Sequence, residues 1–253
     1  MVKPKKHLGQ HFLKDEGVSE RISDSLTGHG NYEFIIEIGP GTGALTKYLL
    51  NRKEELLCLE VDQESIQYLN KQLPKLKVLE QDFLKFDLSK INKEKIAIAG
   101  NFPYNISSQI LFKVLEDKGK IFELVGMFQK EVAERVAAGP GTKKYGILSV
   151  LIQAYYEVEY LFTVDENVFN PPPKVKSGVI RLQRRDADPA CNEHLLRKLV
   201  KITFNQRRKM IRNTIKILLG GAQTQHPLYT KRPEQLSVQD FIDLTNFLES
   251  HTK

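Results

Sequence analysis

Residues 34–46 read FIIEIGPGTGALT, an apolar run that ends in a glycine-rich turn and continues into a segment with helical periodicity. Within the turn, Gly39, Gly41 and Ala44 have the G-x-G-x-x-G/A spacing of a nucleotide-cofactor fingerprint. Glu60 lies 21 residues beyond Gly39, at the end of the next apolar run, where a carboxylate can accept hydrogen bonds from both ribose hydroxyls. These residues predict a strand, a turn and a helix that bind a nucleotide-like cofactor, and they do not yet exclude NAD.

Strand-like and helical segments alternate on the C-terminal side of this turn. Three more apolar runs lie between residues 56 and 99, and further strands and helices follow to about residue 183. Such alternation is typical of βαβ units that build a parallel, doubly wound α/β sheet. A polar, proline-containing stretch at 184–192 then precedes a helical pattern. We therefore predict an α/β domain over residues 1–185 and a small all-helical domain over residues 186–253.

Two features favour S-adenosylmethionine over NAD as the cofactor. Residues 37–43 (EIGPGTG) resemble the first motif of class I methyltransferases, in which the loop faces the methionine part of the cofactor. After the third predicted strand, Asp82 stands beside Phe83 and can accept a hydrogen bond from an adenine amino group. An aspartate before a turn is often only a capping residue. Asp82 becomes a good candidate for a cofactor contact because it follows the glycine turn and Glu60 as the third member of an ordered set.

The segment Asn101-Phe102-Pro103-Tyr104 directly follows the run at 95–99, so it is predicted to lie beside the cofactor, beyond the carboxyl end of a strand. Adenine N6 is a weak nucleophile because its lone pair is delocalised into the ring. The side-chain oxygen of Asn101 and the carbonyl of Pro103 can each accept one N6–H bond and favour a pyramidal nitrogen. Tyr104 offers a ring on which a flipped base can stack. The segment predicts methylation of adenine N6 by positioning and polarisation, without a strong general base.

Positive charge is concentrated in two parts of a chain whose net charge is +7. Residues 1–14 carry four lysines and residues 197–216 carry eight Lys and Arg, in both cases without an acidic residue. A single basic run is a solvated helix face about as often as it is a binding surface. Two such runs in one chain indicate a surface that binds a polyanion such as RNA. A helix is predicted around residues 204–212, with Arg207 and Lys209 projecting away from its apolar side. The cations predicted to contact RNA are Lys5, Lys6, Arg207, Arg208 and Lys209.

Other classes of protein and site are not indicated. No stretch approaches the roughly 18 apolar residues that span a bilayer, and the N-terminus lacks the apolar segment of a secretory signal. Cys58 and Cys191 cannot build a disulfide framework, and no Cys/His spacing resembles a zinc site. We expect a monomeric cytoplasmic protein with no membrane contact and no metal.

Seven ordered segments resemble the small-subunit ribosomal RNA adenine N6,N6-dimethyltransferases along essentially the whole chain. They are LGQHFL at 8–13, EIGPGTGALT at 37–46, NFPYNISS at 101–108, QKEV at 129–132, YGILSV at 145–150, FNPPPKV at 169–175 and FNQRRK at 204–209. The resemblance implies a class I methyltransferase domain, which is a Rossmann-like fold, with a small helical C-terminal domain. It implies an enzyme that uses S-adenosylmethionine to dimethylate two adjacent adenosines in a hairpin near the 3′ end of small-subunit (16S) rRNA, during assembly of the subunit.

The same resemblance implies roles for individual residues. The cofactor contacts are His11, Leu13, Gly39, Gly41, Glu60, Asp82 and Asn101, and the catalytic residues are Asn101, Pro103, Tyr104 and Phe169. Family members often have Asn where this chain has His11, and usually Leu where it has Phe102. Phe169 lies where the family places an aromatic ring near the target base. Its other interpretation is an apolar residue that anchors a proline-rich loop.

Three other functions are considered. A large-subunit rRNA adenine dimethyltransferase of the macrolide-resistance type would share every catalytic residue. A non-enzymatic RNA-binding or ribosome-assembly factor on the same fold would use the cofactor only secondarily. A NAD-dependent oxidoreductase would leave both the Asn101–Tyr104 segment and the basic runs unexplained.

Overall fold

The computed structural model describes residues 2–251 of the chain. Contacts among its Cα atoms divide the chain into two compact units. The first contains the residues up to 134 together with residues 157–184, and the second contains residues 135–156 together with the residues from 185 onward. The division predicted from the sequence places residues 135–156 in the α/β domain, so the two divisions differ in this segment.

Nine strands within the described residues form two sheets. They are β1 (Phe12–Leu13), β2 (Phe34–Ile38), β3 (Glu55–Glu60), β4 (Lys77–Glu80), β5 (Ile96–Asn101), β6 (Ile121–Gln129), β7 (Tyr156–Val164), β8 (Phe169–Asn170) and β9 (Ser177–Arg184). The main sheet has the order β4-β3-β2-β5-β6-β9-β7, and β1 pairs with β8 in a separate sheet. Strands β2 to β6 are parallel, and β9 is antiparallel to β6. The doubly wound α/β sheet predicted from the sequence is confirmed.

Helices connect and follow these strands. They are α1 (Glu16–Asp24), α2 (Thr46–Leu49), α3 (Gln63–Gln72), α4 (Ser107–Glu116), α5 (Lys130–Ala137), α6 (Ile147–Tyr155), α7 (Glu193–Asn205), α8 (Ile211–Thr214), α9 (Lys216–Leu219) and α10 (Val238–His251). Between residues 2 and 251, no helix combines the length and the apolar character needed to cross a membrane.

The strand order of the main sheet reverses between β2 and β5. From β2 the order continues to β3 and β4 on one side, and to β5 and β6 on the other. Doubly wound sheets bind ligands in the crevice that forms at such a point, beyond the carboxyl ends of the strands. All five residues of β2 are buried, as expected for a parallel strand that is covered on both faces. The fold therefore brings the turn after Ile38 and the end of β5, at Asn101, to the same edge of the sheet.

The second unit is built around α6, α7 and α10, which pack against one another. Val150, Leu199 and Leu244, one from each helix, are completely buried. Apolar burial on α6 is the physical reason that residues 135–156 group with the C-terminal helices. The prediction of one helix around residues 204–212 is wrong, because α7 ends at Asn205 and a turn separates it from α8.

Candidate active site

A cavity of about 340 Å³ opens at the carboxyl edge of β2, β3 and β5 in the first unit. Predicted site residues that line it are His11, Leu13, Gly39, Gly41, Glu60, Asp82, Asn101, Pro103 and Tyr104. They come from five separate stretches of the chain, which only the fold brings together. Phe169 and the predicted RNA-binding cations are not part of the lining.

The glycine-rich turn after β2 forms one wall of the cavity. Gly39 and Gly41 have φ angles of 66° and 56°, in the left-handed region that favours glycine. A Cβ atom at Gly41 would lie 2.9 Å from the ring of Phe12, whereas a Cβ atom at Gly39 would meet no protein atom within 4 Å. The turn is thus shaped for a close approach of its backbone to a ligand.

Glu60 holds this turn to the end of β3. Its carboxylate accepts hydrogen bonds from the backbone N–H groups of Gly41 (3.1 Å), Val61 (2.8 Å) and Asp62 (3.0 Å). The side chain is only 4% exposed, and burial raises the pKa of this carboxyl group above its ordinary value despite the three donors. A carboxylate has about four acceptor sites. Glu60 can therefore shape the turn and still accept a further hydrogen bond from a ligand hydroxyl.

Asp82 also lines the cavity and is half-buried. Its Oδ1 atom accepts a hydrogen bond from the backbone N–H of Leu84 at 2.9 Å. The capping role and the ligand role considered for Asp82 are therefore compatible, because each can use a different carboxylate oxygen.

Glu37 is a fully buried carboxyl group in the cavity wall. In the sequence it is recognised only as part of the motif at residues 37–43. It is 1% exposed, and burial raises its pKa from 4.5 to about 7. The thiol of Cys58 donates a hydrogen bond to Glu37 Oε2 at 3.4 Å. The cavity therefore contains an acid whose charge changes near neutral pH.

The side-chain amide of Asn101 has a defined orientation. Its Nδ2 atom donates a hydrogen bond to the backbone carbonyl of His11 at 3.0 Å. This bond leaves Oδ1 as an acceptor for an N–H group of a ligand. The carbonyl of Pro103 accepts two long hydrogen bonds of 3.3 Å, one from the Ile106 N–H and one from the Ser107 hydroxyl. Both donors belong to the protein, so this carbonyl is hydrogen-bonded independently of a base.

Tyr104 is held by contacts on its hydroxyl and on its ring. Its hydroxyl hydrogen-bonds the hydroxyl of Ser177, which is completely buried at the start of β9. Its ring stacks on that of His11, with centroids 5.5 Å apart and planes 27° apart. The imidazole of His11 also contacts the carbonyl of Pro171, through Nδ1 at 2.8 Å. The His11 side chain therefore belongs to the wall around Tyr104, while its backbone carbonyl orients Asn101.

Ser177 is a residue that reasoning from the sequence missed. Its only local signal is a hydroxyl at the start of an apolar strand, two residues after the end of the proline-rich segment FNPPPKV. Tyr104 and Ser177 are 73 residues apart. Nothing in the sequence around either residue predicts their hydrogen bond.

Phe169 does not line the cavity. It is 1% exposed and packs in the hydrophobic core with Val164 and Val179. Its strand β8 pairs with β1, opposite Leu13. Residues directly opposite each other in an antiparallel pair project to the same face, and Leu13 and Phe169 accordingly belong to the same core cluster. This burial supports a role for Phe169 as a loop anchor, and its contact with the target base stays a prediction.

The two N-terminal lysines differ in their surroundings. The Lys5 ammonium forms ion pairs with Asp62, whose side chain is 1% exposed, and with Glu64 at 3.1 Å. These carboxylates raise the pKa of Lys5 and offset its charge. Lys6 is exposed. Lys5 therefore connects the N-terminal segment to the loop after Glu60, and Lys6 is the better candidate for contact with RNA.

The predicted RNA-binding cations of the second unit also differ in their surroundings. The Arg207 guanidinium donates hydrogen bonds to the backbone carbonyls of Lys143 (2.6 Å) and Thr142 (2.8 Å). Arg207 therefore supports the loop before α6. A helical projection of the sequence could not predict this contact, because it shows only neighbours on the same helix. Arg208 and Lys209 are exposed in the turn that follows α7.

The cavity fits S-adenosylmethionine. The turn leaves open space at Gly39, where a Cβ atom would meet no protein atom within 4 Å. Glu60 has an acceptor for ribose hydroxyls, and Asp82 has one for the adenine amino group. Among residues 2–251, no group of three or more His, Cys, Asp or Glu side chains is arranged to hold a metal ion.

Comparisons with known proteins identify relatives over the full length of the chain. A sequence model of the family described as ribosomal RNA adenine dimethylase matches residues 1–250. The chain is 53% identical over 256 residues to the ribosomal RNA small subunit methyltransferase A of Parabacteroides distasonis, covering 99% of this chain and 96% of that protein.

Two solved structures extend the comparison. The crystal structure of a dimethyladenosine transferase from Plasmodium falciparum aligns with a TM-score of 0.84 and 26% identity, over 95% of this chain and 98% of that chain. The crystal structure of the 23S rRNA methyltransferase ErmE aligns with a TM-score of 0.70 and 26% identity, over 92% of this chain and 99% of that chain.

Proposed function

The chain belongs to the ribosomal RNA adenine dimethylase family, and we propose that it dimethylates N6 of two adjacent adenosines in a hairpin near the 3′ end of small-subunit rRNA. The resemblance predicted from the sequence is confirmed by the family match. So are the enzyme class, the methyltransferase fold and the use of S-adenosylmethionine. We further propose the immature small subunit as the substrate particle, and a monomer that works in the cytoplasm.

The observation that supports adenine N6 as the target is the orientation of Asn101. Its amide nitrogen is engaged by the His11 carbonyl, so its oxygen is the group left to accept a hydrogen bond. Accepting an N6–H bond increases electron density on the nitrogen and favours a pyramidal geometry. S-adenosylmethionine supplies the electrophilic methyl group when bound. The contribution of Asn101 is positioning and polarisation.

The residues around Asn101 support the same chemistry. The Tyr104 ring is fixed by Ser177 on its hydroxyl and by His11 on one face. We propose that the target base stacks on its other face. Glu60 and Asp82 are proposed to hold the ribose and the adenine of the cofactor, with Gly39 and the rest of the turn next to its methionine part.

Contacts to the RNA backbone are proposed for Lys6, Arg208 and Lys209. Each is exposed, so it can approach a phosphate without breaking a buried contact. Lys5 and Arg207 carry a smaller part of this role, because their side chains are engaged by carboxylates and by backbone carbonyls.

The test of the chemistry is Asn101→Ala. Removing one preorganised hydrogen-bonding group from a reacting centre costs about 10²- to 10³-fold in kcat. We expect this loss in methyl transfer to undermethylated small-subunit particles, with RNA affinity retained. Asn51→Ala removes an exposed asparagine from a turn and is the matched control. An Asn101→Ala enzyme with wild-type turnover would show that the amide does not act on the nitrogen.

The test of the substrate compares the same particles with naked large-subunit rRNA. Large-subunit RNA is the competing candidate because ErmE, a 23S rRNA methyltransferase, shares the fold over most of both chains. Dimethyladenosine is mapped in both RNAs after incubation with the enzyme. Preferential labelling of the large-subunit RNA would overturn the choice of substrate and leave the N6 chemistry intact.

A further inference from the structure

The segment that leads from β8 into the first residue of β9, residues 171–177, is attached at both ends to the wall that surrounds Tyr104. At its start, the carbonyl of Pro171 contacts Nδ1 of His11 at 2.8 Å, and the His11 ring stacks on Tyr104. At its end, the hydroxyl of Ser177 hydrogen-bonds the hydroxyl of Tyr104. The position of this segment and the position of the Tyr104 ring therefore depend on each other.

The middle of the segment is stiff and anchored. Residues 171–173 are three consecutive prolines, each with a fixed φ angle, and Pro173 is buried. The carbonyl of Lys176 accepts a hydrogen bond from the backbone N–H of Lys130, at the start of α5, at 2.9 Å. A segment restrained in this way presents its exposed side chains at defined positions.

Two side chains at the tip of the segment face solvent. Lys174 is exposed, and no ion pair is formed by its ammonium within the described part of the chain. Val175 beside it is 46% exposed, which makes it one of the most exposed large apolar residues of the first unit. The other lysine of the segment differs, because Lys176 is paired with Asp165 at 2.6 Å. An uncompensated cation next to an apolar side chain suits a strand that offers both phosphates and sugar carbons.

We propose that residues 171–177 support the RNA strand that carries the target adenosine, with Lys174 contacting a backbone phosphate beside the flipped nucleotide and Val175 packing on a neighbouring ribose. The inference rests on the proposed function. A base stacked on Tyr104 leaves its own sugar and phosphates at the rim of the wall, which is where this segment lies. The partner is RNA because the exposed charge is positive and the segment is attached to the base-binding wall.

Phosphate contacts position a strand and do not read its sequence or take part in the reaction. The inference therefore predicts that Lys174→Ala weakens RNA binding and raises KM for the particle, with kcat unchanged. Loss of one phosphate contact should reduce the slope of log affinity against log salt by about 0.7 to 0.9. Affinity for S-adenosylmethionine should stay the same.

The experiment measures binding of small-subunit particles at several salt concentrations for the wild type, Lys174→Ala, Lys174→Arg and Lys176→Ala. Lys174→Arg should restore both affinity and slope, because it keeps the charge. Lys176→Ala is the matched control from the same segment, and it should leave the slope unchanged since Asp165 already neutralises that lysine. Equal slopes for Lys174→Ala and the wild type, or the same loss in Lys176→Ala, would overturn the inference.

Failure of the proposed function is recognised separately. If the wild-type enzyme labels large-subunit RNA instead, the four proteins are compared on that RNA, and the salt slopes still decide the role of Lys174. Retained methyl transfer to small subunits with an unchanged slope in Lys174→Ala would reject the inference alone.

Discussion

Replacing Glu37 by Gln should change how the stability of the protein depends on pH. Glu37 is fully buried, and burial raises its pKa from 4.5 to about 7. Below pH 4.5 the carboxyl group is protonated in both the folded and the unfolded chain. Between pH 4.5 and 7 the folded state binds the proton and the unfolded state has released it, so the free energy of unfolding falls as pH rises.

The size of the effect follows from the two pKa values. One pKa unit corresponds to 1.36 kcal/mol, so the rise to about 7 removes about 3 kcal/mol of stability by neutral pH. Gln at this position is neutral at every pH and keeps an oxygen that can accept the hydrogen bond from Cys58. Relative to the wild type, the variant should therefore gain about 3 kcal/mol between pH 4.5 and pH 7.5.

Urea unfolding at pH 4.5, 5.5, 6.5 and 7.5, about one pH unit apart, measures this difference directly. Subtracting the wild-type curve removes the titration of every other group. Glu94→Gln, on an exposed side chain, controls for the loss of one negative charge. A difference between Glu37→Gln and the wild type that does not vary with pH would refute the reasoning.

Two further predictions concern the cofactor turn and the basic segment. Gly41→Ala should lower the free energy of unfolding by about 1–3 kcal/mol and weaken cofactor binding in calorimetry, because the residue has a φ of 56° and its Cβ would meet an aromatic ring. Gly119→Ala, where a Cβ meets nothing within 4 Å, is the control, and equal effects would contradict the close-approach argument. Arg208→Ala with Lys209→Ala should reduce the salt slope of RNA binding by about one to two units at an unchanged melting temperature. Arg207→Ala should instead lower the melting temperature, because it removes two hydrogen bonds to backbone carbonyls. A lower salt slope in Arg207→Ala and a lower melting temperature in the double variant would show that the RNA-binding and structural roles are the other way round.

Much of the site could be predicted because its residues stand at the ends of strands. Gly39, Glu60 and Asn101 each follow an apolar run, and the carboxyl ends of parallel strands meet at one edge. The prediction for Phe169 relied on its place in a motif, with no pattern that would separate a base contact from a core residue. The structure shows that the side chain of Phe169 packs in the core, on a strand that pairs with β1.

Charge composition correctly identified two basic segments and could not rank the cations within them. Lys5 is engaged by Asp62, which is 57 residues away, and Arg207 by carbonyls more than 60 residues away. A count of charges treats each lysine and arginine as free. Which of them remain available to a phosphate depends on partners that only folding brings near.

The sequence by itself determined the parallel sheet, the glycine turn, the cofactor class and the family, because these depend on residues that are neighbours along the chain or follow successive strands. The tertiary structure alone decided how the reacting groups are oriented. Asn101 owes its orientation to the His11 carbonyl, 90 residues away, and Tyr104 owes its position to Ser177, 73 residues away. A hydrogen bond depends on distance and angle in space, and no periodicity or spacing records which distant segments will meet.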